Sequence, residues 1–176
     1  PALAPFRPVM LSTPVTEGDL TTLDPADHLA EWKWDGIRVQ AVAEGGERRL
    51  YSRTGEEIGA AFPEIVEAMT FDGAVDGELL VRRGDEVAPF ADLQRRLGRK
   101  TVSRALLKTH PAALRLYDIL TWQGEDLRPL PLAQRRARLE GAGFDSPRID
   151  LSPLLHFVTW EDLARLRATP HATVIE

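Results

Sequence analysis

Residues 29–52 read LAEWKWDGIRVQAVAEGGERRLYS, and the fold turns on this stretch. From Ile37 to Val42 (Ile37-Arg38-Val39-Gln40-Ala41-Val42) apolar and polar side chains alternate, the period-two pattern of a strand with one covered face. Gly45-Gly46 then marks a turn, and Arg49–Ser52 reads as the returning strand. The stretch is therefore a β-hairpin preceded by a loop that holds Lys33 between Trp32 and Trp34.

Upstream, residues 1–28 are rich in Pro and Thr and show little periodicity; one short strand is expected around Val9–Leu11. Downstream, Phe62–Met69 has helical spacing, with Pro63 suited to a first helical turn. Ala74–Arg82 reads as a strand that turns at Arg83-Gly84-Asp85. Phe90–Leu97 is an amphipathic helix ended by Gly98, and Ser103–His110 is another, stopped before Pro111. Ala113–Leu120 alternates like a buried strand, and Leu132–Gly141 is a helix with a glycine stop. Leu154–Val158 reads as a short strand. Thr159 is placed to cap a helix over Trp160–Arg167, with Asp162 completing a capping box. There is no repeat, low-complexity tract or interdomain linker. Hairpin-linked strands mixed with short helices predict an α+β domain: antiparallel sheets flanked by helices.

The bulk numbers bound the function. The 176 residues suffice for one domain, and 43% hydrophobic with 28% charged residues is ordinary for a soluble globular protein. No apolar run is long enough to span a membrane. The opening residues lack a signal-peptide pattern, which points to the cytoplasm. Without cysteine, disulfides and thiolate metal sites are excluded, and the four histidines show no ligand spacing. The net charge of −5 alone disfavours a nucleic-acid partner. However, Leu93–Lys108 reads LQRRLGRKTVSRALLK, with six basic residues and no acid. Arg95, Arg96, Arg99, Lys100, Arg104 and Lys108 are thus either a DNA-backbone contact or two solvated helix faces.

The octet Glu31-Trp32-Lys33-Trp34-Asp35-Gly36-Ile37-Arg38 carries the chemistry. A lysine amine attacks phosphorus only when deprotonated, through desolvation or a neighbouring cation. Two tryptophans could lower its hydration, Asp35 could orient neighbours, Gly36 permits a close turn, and Arg38 can hold a phosphate or ribose. An ordinary edge lysine before a strand fits the octet equally well, and the octet alone does not choose.

Three further segments bear on that choice. Lys33-Trp34-Asp35-Gly36-Ile37-Arg38 matches KxDGxR, the first motif of the ATP-dependent DNA ligases and related covalent nucleotidyltransferases. Ser52-Arg53-Thr54-Gly55 resembles the second motif, Asp76-Gly77-Glu78-Leu79 the third, and Tyr117-Asp118 in LRLYDIL a fourth conserved segment, all in the expected order. PFADLQRRLGRK (89–100) and YDILTWQGEDLRPLPLAQRRARLE (117–140) resemble the bacterial ATP-dependent DNA ligases, and the resemblance runs from about Pro8 to Glu176.

The resemblance implies an ATP-grasp-like nucleotidyltransferase (adenylation) domain. In it Lys33 attacks the α-phosphate of ATP, releases pyrophosphate and carries AMP as a phosphoramide. Glu31 and the backbone at Trp32 read the adenine amino group, and Tyr117 stacks on the base. Arg38 and Arg53 contact phosphate or ribose, with Asp35 and Gly36 in support. Glu78 binds the ribose hydroxyls and helps hold Mg2+ or Mn2+. Glu176 matches the first residue of the motif that follows and would also serve the metal. AMP would then pass to a DNA 5′-phosphate, and a 3′-hydroxyl would seal the nick.

The resemblance further implies a monomer acting on nicked double-stranded DNA in replication, repair or recombination, in the bacterial cytoplasm near the nucleoid. The segments that complete the family's domain, its OB domain and any N-terminal DNA-binding domain have no counterpart in residues 1–176. The chain is thus expected to be a C-terminally truncated adenylation domain, impaired in self-adenylylation and unable to seal nicks. An RNA ligase or capping-type enzyme, or a non-catalytic nucleotide-binding module, are the alternatives.

Overall fold

In the computed structural model, which describes residues 3–170, 174 and 175, the hairpin forms as read. Strand β1 (Ile37–Glu44) runs antiparallel to β2 (Glu47–Ser52), with Glu44 opposite Glu47. Gly45 and Gly46 turn the chain at φ of 61° and 84°, left-handed values that a two-residue hairpin loop requires. Strand β3 (Gly73–Arg83) pairs antiparallel with β1 on its other edge. The two-residue strand β4 (Glu86–Val87) folds back on β3 after the turn at Gly84. Strand β5 (Ala112–Trp122) lies antiparallel beside β3 and carries β6 (Glu125–Asp126) as its own short return. The order across the sheet is β2-β1-β3-β5-β6.

Alternation gives this sheet two different faces. Val39 and Ala41 of β1 and Val75, Leu79 and Val81 of β3 share a buried core with Ile65, Leu93 and Leu139. These last three come from helices α1 (Pro63–Ala68), α2 (Phe90–Gln94) and α4 (Leu132–Gly141). Each such aliphatic side chain contributes roughly 1.5–3 kcal/mol when fully buried. The opposite face carries Arg38, Gln40, Asp76 and Glu78. Two helices lie outside this packing. Ser103 caps α3 (Arg104–Thr109) by accepting from Leu106 N, and Thr159 with Asp162 forms the expected capping box on α5 (Trp160–Ala168).

The α+β reading holds, with four differences. Val9–Leu11 is not a strand; its chain is irregular and lies on the sheet's polar face. Leu154–Val158 contributes one isolated bridge, Leu155 to Ala30, in place of a strand. The helix expected over Phe90–Leu97 stops at Gln94, because Arg96 N bonds the carbonyl of Leu93 in a tighter turn. Strand β7 (Ile149–Leu151), not foreseen, adds a parallel pairing to β5. Its three residues are too few to show a period. No helix among the described residues is long and apolar enough to cross a membrane.

Candidate active site

The polar face is organised around a buried carboxylate. Arg38 and Gln40 on β1 stand opposite Glu78 and Asp76 on β3. Asp76, fully buried, accepts from Arg38 Nη2 at 3.0 Å and from Gln40 Nε2 at 3.1 Å. Gln40 also bonds both the N–H and the carbonyl of Arg7, at 2.7 and 2.9 Å, and Arg38 Nη1 donates to the carbonyl of Met10 at 2.8 Å. These contacts strap the lead-in segment across the sheet, so that Met10, Leu11 and Ser12 wall the cleft.

Tyr117 reaches the same face through a β-bulge. Asp76 is opposite Asp118 and Gly77 is opposite Leu116, which leaves Tyr117 as the extra residue of β5. A bulge of this kind re-aims a side chain. The Tyr117 hydroxyl lies 3.5 Å from Glu78 Oε2, and the Arg38 guanidinium lies 5.6 Å from the ring centre. Burial pushes the Tyr117 hydroxyl up, so it remains a donor. Burial also pushes the Glu78 carboxyl up to about 7, against the lowering effects of the Gly36 N–H, the Tyr117 hydroxyl and Arg38; the charge of Asp35 adds to the rise.

Lys33 sits in a loop pinned on both sides. Ala30 bridges to Leu155 and Trp34 to Val174, and the Lys33 carbonyl accepts from Ile175 N at 2.8 Å. Trp34 is buried, donates Nε1 to Ser152 Oγ at 3.0 Å, and is covered by the Arg115 guanidinium 4.4 Å from the ring centre. Trp32 packs on the cluster of Trp34, Leu80 and Val87. The flanking residues are thus fixed while the Lys33 side chain remains exposed.

Glu31 lies 3.6 Å from Nη1 of Arg136 on α4, whose Nη2 donates to the Ser152 carbonyl at 2.9 Å. Burial pushes the Glu31 carboxyl up, partly offset by its hydrogen bond to Ser152 and by Arg136.

A single cleft of about 1020 Å³ gathers Lys33 with Glu31, Arg38, Arg53, Glu78 and Tyr117, and it also borders Trp32 and Gly36. That volume is at the upper end for small-ligand sites. Gly36 is there because nothing larger fits: a Cβ would fall 2.2 Å from the Leu79 carbonyl oxygen. Asp35 does not line the cleft and acts on it only through its charge on Glu78.

The basic segment behaves differently. Arg95, Arg99, Lys100 and Arg104 are exposed but none lines the cleft. Arg96 is a correction: it is fully buried and bonds Glu64 through both terminal nitrogens at 2.7 and 2.9 Å, so it cannot touch a DNA backbone. Glu176 lies outside the described residues. Sequence reasoning missed Asp76 with Gln40, Met10–Ser12, Arg115, Arg136 and Ser152. Only Asp76, inside a recognised motif, offered a signal.

The model of the ATP dependent DNA ligase domain matches residues 9–169. A protein of Koribacter versatilis named "Probable DNA ligase" is 35% identical over 141 residues, covering 77% of this chain and 24% of that protein. One of the same name from Anaeromyxobacter is 36% identical over 152 residues, covering 84% of this chain and 29% of its own length. The chain therefore spans about a quarter of the curated relatives it matches. Among solved structures, the ligase domain of M. tuberculosis LigD superposes with a TM-score of 0.61 at 25% identity, covering 78% of this chain and 43% of that one.

Proposed function

Because this chain belongs to the ATP-dependent DNA ligase domain family, we propose that its cleft is where ATP hands AMP to the side-chain amine of Lys33. The observation that carries the reading is convergence: Lys33, Arg38, Arg53, Glu78 and Tyr117, from four separate segments of the chain, border one cleft. A lone edge lysine would have no reason to share a cavity with two arginines, a half-buried carboxyl and a bulged tyrosine.

In this reading the Lys33 amine forms a bond to the α-phosphorus, the bond from that phosphorus to the pyrophosphate oxygen breaks, and the amine loses its proton. Tyr117 offers its ring to the adenine, Glu31 and the backbone at Trp32 read the amino edge of the base, and Glu78 binds the ribose hydroxyls. Arg38 and Arg53 place positive charge beside the phosphates or ribose, where charge develops in the transition state. Asp35 and Gly36 shape the loop.

A divalent ion fits this donor set. Among the described residues no three His, Cys, Asp or Glu side chains form a metal cage. Mg2+ ordinarily needs only one or two carboxylates alongside substrate phosphates, and Glu78 supplies one at the cleft. Mg2+ or Mn2+ would there neutralise charge on the phosphate oxygens. In the complete enzyme AMP then moves to a DNA 5′-phosphate, and the 3′-hydroxyl of a nicked duplex displaces it to seal the strand.

The test is incubation of the chain with ATP labelled on the α-phosphate and a divalent metal. Weak acid-labile label should appear on the protein, be lost in Lys33→Ala, and not form with labelled GTP. Label that survives in Lys33→Ala would refute the assignment.

A further inference from the structure

Strand β3 carries a row of side chains on its cleft face: Asp76, Glu78, Leu80 and then Arg82. Arg82 lies four residues beyond Glu78, about 13 Å at 3.3 Å per residue. The intervening space is bridged by Asp150 of β7, whose Oδ2 accepts from Arg82 Nη1 at 2.8 Å and from Arg115 Nη2 at 2.9 Å. Arg115 in turn covers the ring of Trp34, next to Lys33. The ion-paired chain of Arg115, Asp150 and Arg82 therefore runs from beside Trp34, in the cleft wall, to Arg82, with buried Leu80 lying between Glu78 and Arg82 on β3 itself.

At its end lies a second concavity, of about 660 Å³, lined among others by Arg82, Arg83, Lys108 and Arg148. These come from the end of β3, from α3 and from the turn before β7. Two of the four charges are already matched. Arg82 pairs with Asp85 and Asp150, and Arg83 with Asp92. The other two are not. Arg148 Nη1 donates to the neutral carbonyl of Ala112, and the Lys108 side-chain amine has no hydrogen bond or ion pair among the described residues. A concave site with two uncompensated cations favours an anion of repeating charge.

We propose that this basic concavity is a phosphodiester subsite that grips the backbone of the DNA substrate to one side of the nick joined at Lys33. The inference rests on the proposed DNA-joining function and adds the place where the duplex is held. Lys108 was the last residue of the basic sequence segment. It is that segment's one member that lines this concavity.

The test is titration of the 176-residue chain onto a fluorescent nicked duplex at a series of salt concentrations. Each neutralised phosphate adds about −0.9 to the slope of log affinity against log salt. Lys108→Gln/Arg148→Gln should reduce the slope by about 1.8, and Lys108→Gln alone by about 0.9. Arg128→Gln/Arg138→Gln removes two cations paired with Asp126 and Glu125 elsewhere on the surface and should leave the slope unchanged.

Shortening the duplex stepwise on one side of the nick should bring the wild-type slope down to that of the double variant. Self-adenylylation of the double variant should stay at the wild-type level. Label that survives in Lys33→Ala therefore counts against the Lys33 chemistry, whereas the slope reports on the subsite. Equal slopes for wild type and double variant, or no salt-dependent duplex binding by the wild type, would overturn the proposal. So would inorganic phosphate that displaces the duplex from the wild type only, which would mark a free-anion site.

Discussion

Arg38 and Glu78 stand directly opposite each other on β1 and β3, yet Arg38 gives its ion pair to Asp76, one position over on the same face. Its other terminal nitrogen is taken by the Met10 carbonyl. Glu78 is left in a half-buried place with only the long Tyr117 contact, the Gly36 N–H and the more distant Arg38 charge to stabilise its ionised form. Its carboxyl therefore rises to about 7 and stays available to a ligand.

That rise sets a pH dependence of stability. A carboxyl whose folded pKa is raised binds its proton more tightly in the fold than in the unfolded chain. Its contribution is full below the ordinary glutamate value and is lost as the pH climbs through about 7. At about 1.36 kcal/mol per pH unit, the ionised Glu78 costs roughly 3 kcal/mol in mildly alkaline buffer. Glu78→Gln should match wild type in urea unfolding near pH 4 and exceed it by that amount near pH 8.5. A difference that is the same at both pH values would contradict this origin.

The Arg38–Asp76 pair makes the opposite demand. Arg38→Gln leaves a fully buried carboxylate without its cation, a loss of about 3–5 kcal/mol for a buried pair. Burial already raises Asp76, and removing Arg38 raises it further, so the loss should shrink as the solution is acidified and Asp76 takes up a proton. Adding Asp76→Asn should recover much of the stability at pH 8. Equal losses at pH 5 and pH 8 would show that Asp76 is not the group left stranded.

Gly36 tests why the motif needs glycine. A methyl there would sit 2.2 Å from the Leu79 carbonyl oxygen, a backbone atom that cannot step aside without opening the β1–β3 pair. Gly36→Ala should therefore cost several kcal/mol, on the order of 3 or more, as forced overpacking does, and abolish label transfer from ATP. Gly141, at the end of α4 with nothing within 4 Å of a new Cβ, is the contrast. Gly141→Ala should be neutral or gain about 0.5–1 kcal/mol. Similar melting temperatures for both variants would rule out the clash.

Much of this was legible before the structure. The hairpin, the long strands around Glu78 and Tyr117, α4 and the capped α5 follow from periodicity, turn glycines and a capping box, which are local signals. The motif residues met in one cleft because β1, β3 and β5 are neighbours. What stayed hidden is what depends on partners far along the chain. The Val9–Leu11 segment has no period of its own; Arg38 holds it at Met10, and Gln40 holds Arg7 just before it. β7 forms only because β5 offers an edge. The bulge at Tyr117 arises from two strands of unequal count, which neither strand reveals alone. Arg96 was misread because charge was counted without helical phase: it follows the buried Leu93 by three residues and so faces the core.

That misreading yields a sharp contrast within one basic run. Arg96 donates to both oxygens of Glu64, to the carbonyls of Ala61 and His110, and lies over the Phe62 ring at 5.0 Å. Glu64 in turn accepts from Ala112 N, so one ion pair ties α1, the turn after α2 and the start of β5 together. Arg96→Ala removes the only cation bonded to Glu64 among the described residues and should destabilise the fold by about 3–5 kcal/mol. Arg96→Lys should recover little, because a point charge cannot make the two-pronged contact. The exposed neighbour Arg95→Ala should shift stability by less than about 0.5 kcal/mol. Urea unfolding of the three variants decides it. A loss for Arg96→Ala no larger than that for Arg95→Ala would mean the guanidinium is not buried as described.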